Sequence, residues 1–294
     1  MEKTYKMVRK AVIPAAGLGI NFLPATKAQS KEMLPIIVTP TIQYVVEEAI
    51  DAGIDDILII IGKGKRAIED HFDRNYDLEL YLENKKKDDQ YNEIRRIAEM
   101  ANIHFIRQKE INGLGDAILY AQQHVGDEPF AVLLGDTIID SVIPVTQQLI
   151  DIYDQYRHTI VAVEAVPNEN VSRFGIIGGK QISDVLWSIN KLVEKPELDK
   201  TPSNLALAGR YILTPEIFKA IEDTPVDINQ ELQLTDALQI MVEQEDIYAY
   251  VIEGKRYDIG NKLDYLKTIV EFALKKDDLS KEFLKFLKEI VSDK

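Results

Sequence analysis

Residues 11 to 35 read AVIPAAGLGINFLPATKAQSKEMLP, and they hold the densest chemistry in the chain. Gly17 and Gly19 follow a short β-branched run. Glycines there let the backbone approach a ligand and point N–H groups at it. Lys27 and Lys31 stand just downstream, placed to neutralise phosphate. The chemistry this implies is the holding of a nucleoside triphosphate. The loop is neither of two common phosphate cradles. Phe22 stands where the dinucleotide fingerprint has its third glycine, and no Gly-Lys-Ser/Thr follows. By itself Gly17-Leu18-Gly19 also fits a plain strand-to-helix turn.

Three further sites carry candidate groups. Asp136 follows the apolar run Phe130 to Leu134. A carboxylate at the carboxyl end of a parallel strand faces the crevice where such sheets bind ligands, and a hard oxygen of this kind suits Mg²⁺. Gln108, in Arg107-Gln108-Lys109-Glu110, has an amide able both to donate and to accept; it fits a surface polar residue at a strand end as well. Val193-Glu194-Lys195-Pro196 reads in isolation as a turn with a surface ion pair. His71, His104, His124 and His158 are scattered, without metal spacing or a triad order, and read as structural or surface residues. Lys63, Lys65 and Arg66 read either as a basic rim or as a solvated loop.

The elements that must position these groups alternate. Strands are expected at Lys10 to Ala15, Asp56 to Ile61, Ile103 to Arg107 and Phe130 to Leu134. Helices are expected at Thr41 to Ala52, Lys65 to Phe72, Tyr91 to Met100 and Gly115 to His124. Strand and helix in turn predict a parallel sheet covered on both faces. The second half is more mixed. Strands fall at Thr159 to Val166, Phe174 to Ile177, Val185 to Val193, Ala206 to Leu213 and Ile247 to Ile252. One helix opens at Thr214-Pro215-Glu216, with Thr214 as N-cap; another runs from Glu231 to Val242, and two more close the chain. The run Asn84 to Asp89 reads as a solvated loop. An apolar stripe at Leu279, Phe283, Leu284, Phe286, Leu287, Ile290 and Val291 predicts a helix packed on its own domain, with an oligomer contact as the sharper alternative.

Composition excludes several classes. The net charge of −14 argues against nucleic acid as a partner. The absence of cysteine excludes disulfides, thiolate metal sites and a cysteine nucleophile. No apolar run approaches the roughly 20 residues that span a bilayer, and the charged run Met1 to Lys10 has no apolar stretch behind it to make a secretory signal. No membrane partner and a cytoplasmic location are expected.

Taken together, the motifs resemble those of the bacterial UTP–glucose-1-phosphate uridylyltransferases. The resemblance runs from about Arg9 to Lys275 and rests on Gly17-Leu18-Gly19 with Lys27 to Pro35, Gln108 with Gly113-Leu114-Gly115, Gly135-Asp136, Phe174-Gly175, Val193 to Pro196, Glu231 to Asp236 and Gly254 to Gly260. It implies an α/β fold with a Rossmann-like, mixed, mostly parallel central sheet flanked by helices. One domain would span residues 1–275, with a nucleotide half at about 9–140, a sugar-phosphate half at about 141–260 and a terminal helix in 276–294. It implies attack of glucose 1-phosphate on the α-phosphate of UTP, giving UDP-glucose and pyrophosphate. Nucleotide contacts would come from Ala15, Ala16, Gly17, Gly19, Glu32, Gln108 and Gly113, and sugar contacts from Gly175 and Glu194. Lys31 would meet the triphosphate and Lys195 the sugar phosphate, while Asp136 and Asp258 would hold Mg²⁺. A homo-oligomer is expected. The chain departs from the family at Ile20-Asn21, where Thr-Arg is usual, and at Asp116, Thr137 and Gln230. These departures imply a slow enzyme or, alternatively, a non-catalytic paralogue that binds UDP-glucose and regulates an active homologue by hetero-association.

Overall fold

The structure is a computed structural model that describes residues 6–292. The first five residues of the charged amino-terminal run lie outside it. Among the described residues, nine strands form one sheet. From edge to edge they are Asn102–Arg107, Asp56–Ile61, Lys10–Ala15, Phe130–Leu133, Leu205–Leu213, Ile160–Ala165, Tyr248–Val251, Leu186–Glu194 and Gly175–Gln181. The first four pair in parallel. The second half is antiparallel apart from the pairing of Ile160–Ala165 with Tyr248–Val251. The sheet is therefore mixed, with its parallel character concentrated in the amino-terminal half.

Alternation builds the two faces. Val12, Leu58 and Ile60 point into one core with the helices Leu114–Leu119, Glu216–Asp223 and Leu234–Val242. Ala11, Ile13, Ile57 and Ile59 point into the other, under the helices Thr41–Asp51, Arg66–Phe72 and Val145–Tyr156. Both faces are covered, so these strands read as continuous apolar runs.

Several elements differ from the sequence reading, each for a local reason. The helix expected from Glu231 starts at Leu234, because the Leu232 backbone pairs with Asn112 and Gly115 instead. The helix expected over Gly115 to His124 is two short pieces, Leu114–Leu119 and Gln122–Val125. Thr214 does not cap the helix Glu216–Asp223; its hydroxyl faces Glu245 and Thr159. A helix at Tyr76–Asn84, capped by the Asn75 side chain, has little apolar periodicity to announce it. Asp88 and Asp89 open the helix Asp88–Glu99 rather than ending a loop.

A small ribbon lies beside the main sheet. Thr137–Asp140 pairs antiparallel with Lys255–Asp258, setting Asp258 opposite Thr137. Ile138, Tyr257 and Ile259 anchor it in a separate apolar cluster with Ile36. The helix Lys262–Lys275 follows, its first turn capped by the Asn261 side chain accepting from the Asp264 N–H at 2.9 Å. The last helix, Ser280–Ser292, buries none of its residues, and Leu284, Phe286, Ile290 and Val291 are exposed. The stripe packs on its own domain only in part: Phe283 and Leu287 are half-buried, the helix Lys262–Lys275 lies against it, and the remaining apolar side chains stay open. Among the described residues, no helix is long and apolar enough to cross a membrane.

Candidate active site

The carboxyl ends of the parallel strands open into a cavity of about 480 Å³. Gly17, Gly19, Lys31 and Asp136 line it from the first half of the chain; Gly175, Glu194, Lys195 and Asp258 line it from the second. A second, more apolar cavity of about 260 Å³ shares Gly17, Lys31 and Asp136 and adds Ala16, Glu32, Gln108 and Gly113. The two are lobes of one cleft. The candidate site residues line one or the other, except Lys27 and Ala15, the latter with its side chain buried in the core at the end of its strand.

The charged centre is Lys31 against Asp136, with Nζ 2.5 Å from Oδ2. Burial alone would pull the Lys31 ammonium down, but Asp136, Glu32 and Asp258 outweigh it and hold the group above its ordinary range. Burial likewise pushes the Asp136 carboxyl up, and Lys31 outweighs it and holds it low. Both groups are charged at neutral pH. The Ile259 N–H donates to the Asp136 carbonyl at 3.0 Å, so the ribbon brings Asp258 beside Asp136. Two hard carboxylates facing one cavity suit a divalent cation such as Mg²⁺, which takes one or two protein carboxylates and keeps the remaining positions for water and phosphate.

What holds Asp136 in place was not visible in the sequence. The strand register slips between Leu207 and Tyr211, and Arg210 lies fully buried beneath the Asp136 loop. Its guanidinium binds Glu48 at 2.7 Å and donates to the Thr137 carbonyl at 2.8 Å. Lys65 corrects the expectation of a basic rim or a solvated loop. It is buried, with Nζ 2.8 Å from Glu32 Oε2 and 3.1 Å from Ser30 Oγ. Glu32 therefore lines the second lobe with its carboxylate already engaged. Gln108 is buried, and its amide donates to Asp116 at 2.6 Å. Gly113 is in the left-handed region at φ 98°, and a Cβ there would meet the Leu232 carbonyl oxygen at 2.6 Å. Lys27 is exposed and lines neither lobe.

On the other wall, Glu194 accepts from the Thr235 hydroxyl at 2.7 Å. Gly175 lies opposite Glu194 in the antiparallel register. A Cβ at Gly175 would fall 2.8 Å from both Leu207 and Thr235. Lys195 holds a left-handed backbone, φ 44°, that disfavours lysine. Its N–H still reaches the Phe174 carbonyl at 3.0 Å, while its ammonium lies 3.2 Å from Glu194. Two arginines that sequence reasoning did not single out also line the cavity. Arg173 reaches Asp258 at 3.4 Å and Asp264 at 3.1 Å. Arg256 pairs with Glu164 and lies 4.4 Å over the Phe174 ring.

Two departures from the family pattern gain a physical account. The Asn21 amide is spent on the Gly260 carbonyl at 2.9 Å, tying the glycine loop to the ribbon's end. Gln230 lines neither lobe; it is exposed with φ 63°, so the usual glycine there answers to backbone conformation rather than to ligand approach.

Comparison with known proteins decides the family. The nucleotidyl transferase family model matches residues 10–274. A UTP–glucose-1-phosphate uridylyltransferase of Staphylococcus epidermidis is 50% identical over 97% of this chain and 99% of its own length, and one from Staphylococcus haemolyticus is 50% identical with the same coverage. This chain belongs to the UTP–glucose-1-phosphate uridylyltransferase family of nucleotidyltransferases. Solved structures agree. A UDP-glucose pyrophosphorylase complexed with UDP-glucose superimposes with TM-score 0.85 at 42% identity, covering 92% of this chain and all of the other. A UTP-bound enzyme from Acinetobacter baumannii gives 0.89 at 39% identity, covering 96% and 99%.

Proposed function

We propose that this uridylyltransferase joins UTP and glucose 1-phosphate into UDP-glucose and releases pyrophosphate. The observation that carries this reading is the convergence of Lys31, Asp136 and Asp258 with Glu194 and Lys195 on one cavity. The sugar phosphate is already an anion, so the reaction needs no side-chain nucleophile. The protein's task is alignment and charge neutralisation.

The apolar lobe takes the uracil, with Gln108 reading its edge in an orientation fixed by Asp116. Gly17, Gly19 and the Ala16 and Gly113 backbones pass close to the nucleotide, and Lys31 meets its phosphates. Lys195 guides the sugar phosphate, and Glu194 accepts from sugar hydroxyls above Gly175. Asp136 and Asp258 hold the cation. When bound, Mg²⁺ neutralises the α-phosphate and the departing pyrophosphate. The division into a nucleotide half and a sugar-phosphate half belongs to this reading. So do a cytoplasmic setting and a homo-oligomer; the exposed stripe of the last helix supports the latter.

The test is pyrophosphate release from UTP and glucose 1-phosphate, with and without Mg²⁺. Turnover that needs the metal and both substrates is expected. Tight binding of UDP-glucose with no turnover at high protein concentration would overturn the catalytic reading in favour of a regulatory paralogue.

A further inference from the structure

Away from the cleft, the fold gathers three side chains that the sequence keeps far apart. Asp56 opens the strand Asp56–Ile61. His104 sits on the neighbouring edge strand, opposite Leu58 in a parallel register. His124 belongs to the short helix Gln122–Val125. His124 Nε2 lies 2.8 Å from Asp56 Oδ1, and His104 Nε2 lies 3.7 Å from the same oxygen. The two imidazole centroids are 5.0 Å apart. One ligand atom from each residue falls within 4.8 Å of the others. A tetrahedral ion with bonds of ~2.0–2.1 Å spaces its ligand atoms roughly 3.4 Å apart, so small side-chain rotations close the set. The expectation that the histidines lack metal spacing holds along the chain and fails in space.

We propose that Asp56, His104 and His124 bind a divalent transition ion of the Zn²⁺ class, with a fourth position open to solvent. Imidazole nitrogens favour Zn²⁺ over Mg²⁺, which takes oxygen ligands. The site is accessible, since His104 is 55% exposed and Asp56 32%. The ammonium of Lys10, on the adjacent strand, has other partners. Lys10, paired with Asp56 across the strands, sends Nζ to the His124 carbonyl at 2.9 Å and to Glu128 at 3.3 Å. Asp56 and His124 lie at the amino end of the parallel strands, roughly 20 Å of strand from the cleft. The ion would staple the edge strand and the short helix to the sheet without touching the substrates.

Calorimetric titration of the tag-free full chain with Zn²⁺ in excess Mg²⁺ tests this, with Co²⁺ absorption reporting coordination. One saturable equivalent is expected, with the intense visible bands of four-coordinate Co²⁺ and a melting temperature that rises with Zn²⁺. His104→Ala and Asp56→Asn each weaken Zn²⁺ affinity at least about tenfold, while His71→Ala leaves it unchanged. His104 is exposed, so its loss leaves folding intact. The proposal is overturned by the absence of saturable Zn²⁺ uptake, by uptake that survives His104→Ala, or by equal loss in His71→Ala.

Discussion

The two walls of the cleft are built on different principles. On the nucleotide wall, cationic groups are already matched: Lys31 by Asp136, and Lys65 by Glu32. Asn21 is neutral and holds backbone. On the sugar wall the cations are paired too, Lys195 with Glu194 and Arg173 with Asp258 and Asp264, but they are more exposed, at 59% and 42%. Under the proposed function, the wall that takes the larger anion thus presents pre-organised ion pairs held away from solvent. Under the same reading, the wall that takes the smaller anion keeps its paired charges further forward, nearer solvent. Neutralised pairs cost little when no ligand is present, and they fix geometry. Forward charges draw ligands but leave positions looser.

Breaking the support of the nucleotide wall has the largest effect. Arg210→Met leaves Glu48 buried without its cation and costs ~3–5 kcal/mol of stability, read as a fall in the urea midpoint. Asp136→Ala comes next. It lowers kcat by on the order of 10²–10³ in pyrophosphate release, and the half-buried Lys31, with that partner gone, titrates at lower pH. The pH profile follows from the same pair. Asp136 is held below its ordinary value near 3.8, so its contribution to stability is complete above that value and lost as pH falls through the lower, folded-state value. Lys31 is held above 10.5, so its contribution is complete below that pH and fades as pH rises through the higher, folded-state value. Acid and alkaline unfolding curves of the natural chain and Asp136→Ala should differ in those two windows and run parallel between them.

Asn21→Arg sharpens the contrast between the walls. Adding a charge-assisted contact of ~1.5–3 kcal/mol raises kcat/KM for UTP by about 10- to 150-fold. A smaller gain would mean that Arg173 and Lys195 already supply that charge from across the cavity. The smallest effect is expected at Gln230→Gly, which relieves a left-handed backbone and raises stability by ~1 kcal/mol.

Sequence legibility divides along similar lines. Gly17, Lys31, Asp136, Glu194 and Lys195 sit in short contiguous motifs and could be assigned from type and spacing with a family pattern. So could the strands whose two buried faces make apolar runs, such as Asp56 to Ile61. What stayed hidden depends on pairing over long separations. Arg210 paired with Glu48, Lys65 paired with Glu32, Arg256 over Phe174 and the ribbon joining Thr137 to Asp258 leave no periodic trace. A buried lysine or arginine looks in sequence like any surface charge; only topology says which one has a partner waiting. Gln230 shows the converse, since its unusual residue type marked a backbone constraint.

The ribbon also sets a schedule. Asp136 and Asp258 are separated by roughly 120 residues, about 6–25 s of synthesis at ~5–20 residues per second. For that interval the nascent chain carries the glycine loop, Lys31 and Asp136 without the carboxylate that completes the pair. The ribbon, and with it the bonds from the Ile259 N–H to the Asp136 carbonyl and from the Asn21 amide to Gly260, therefore forms only late in synthesis.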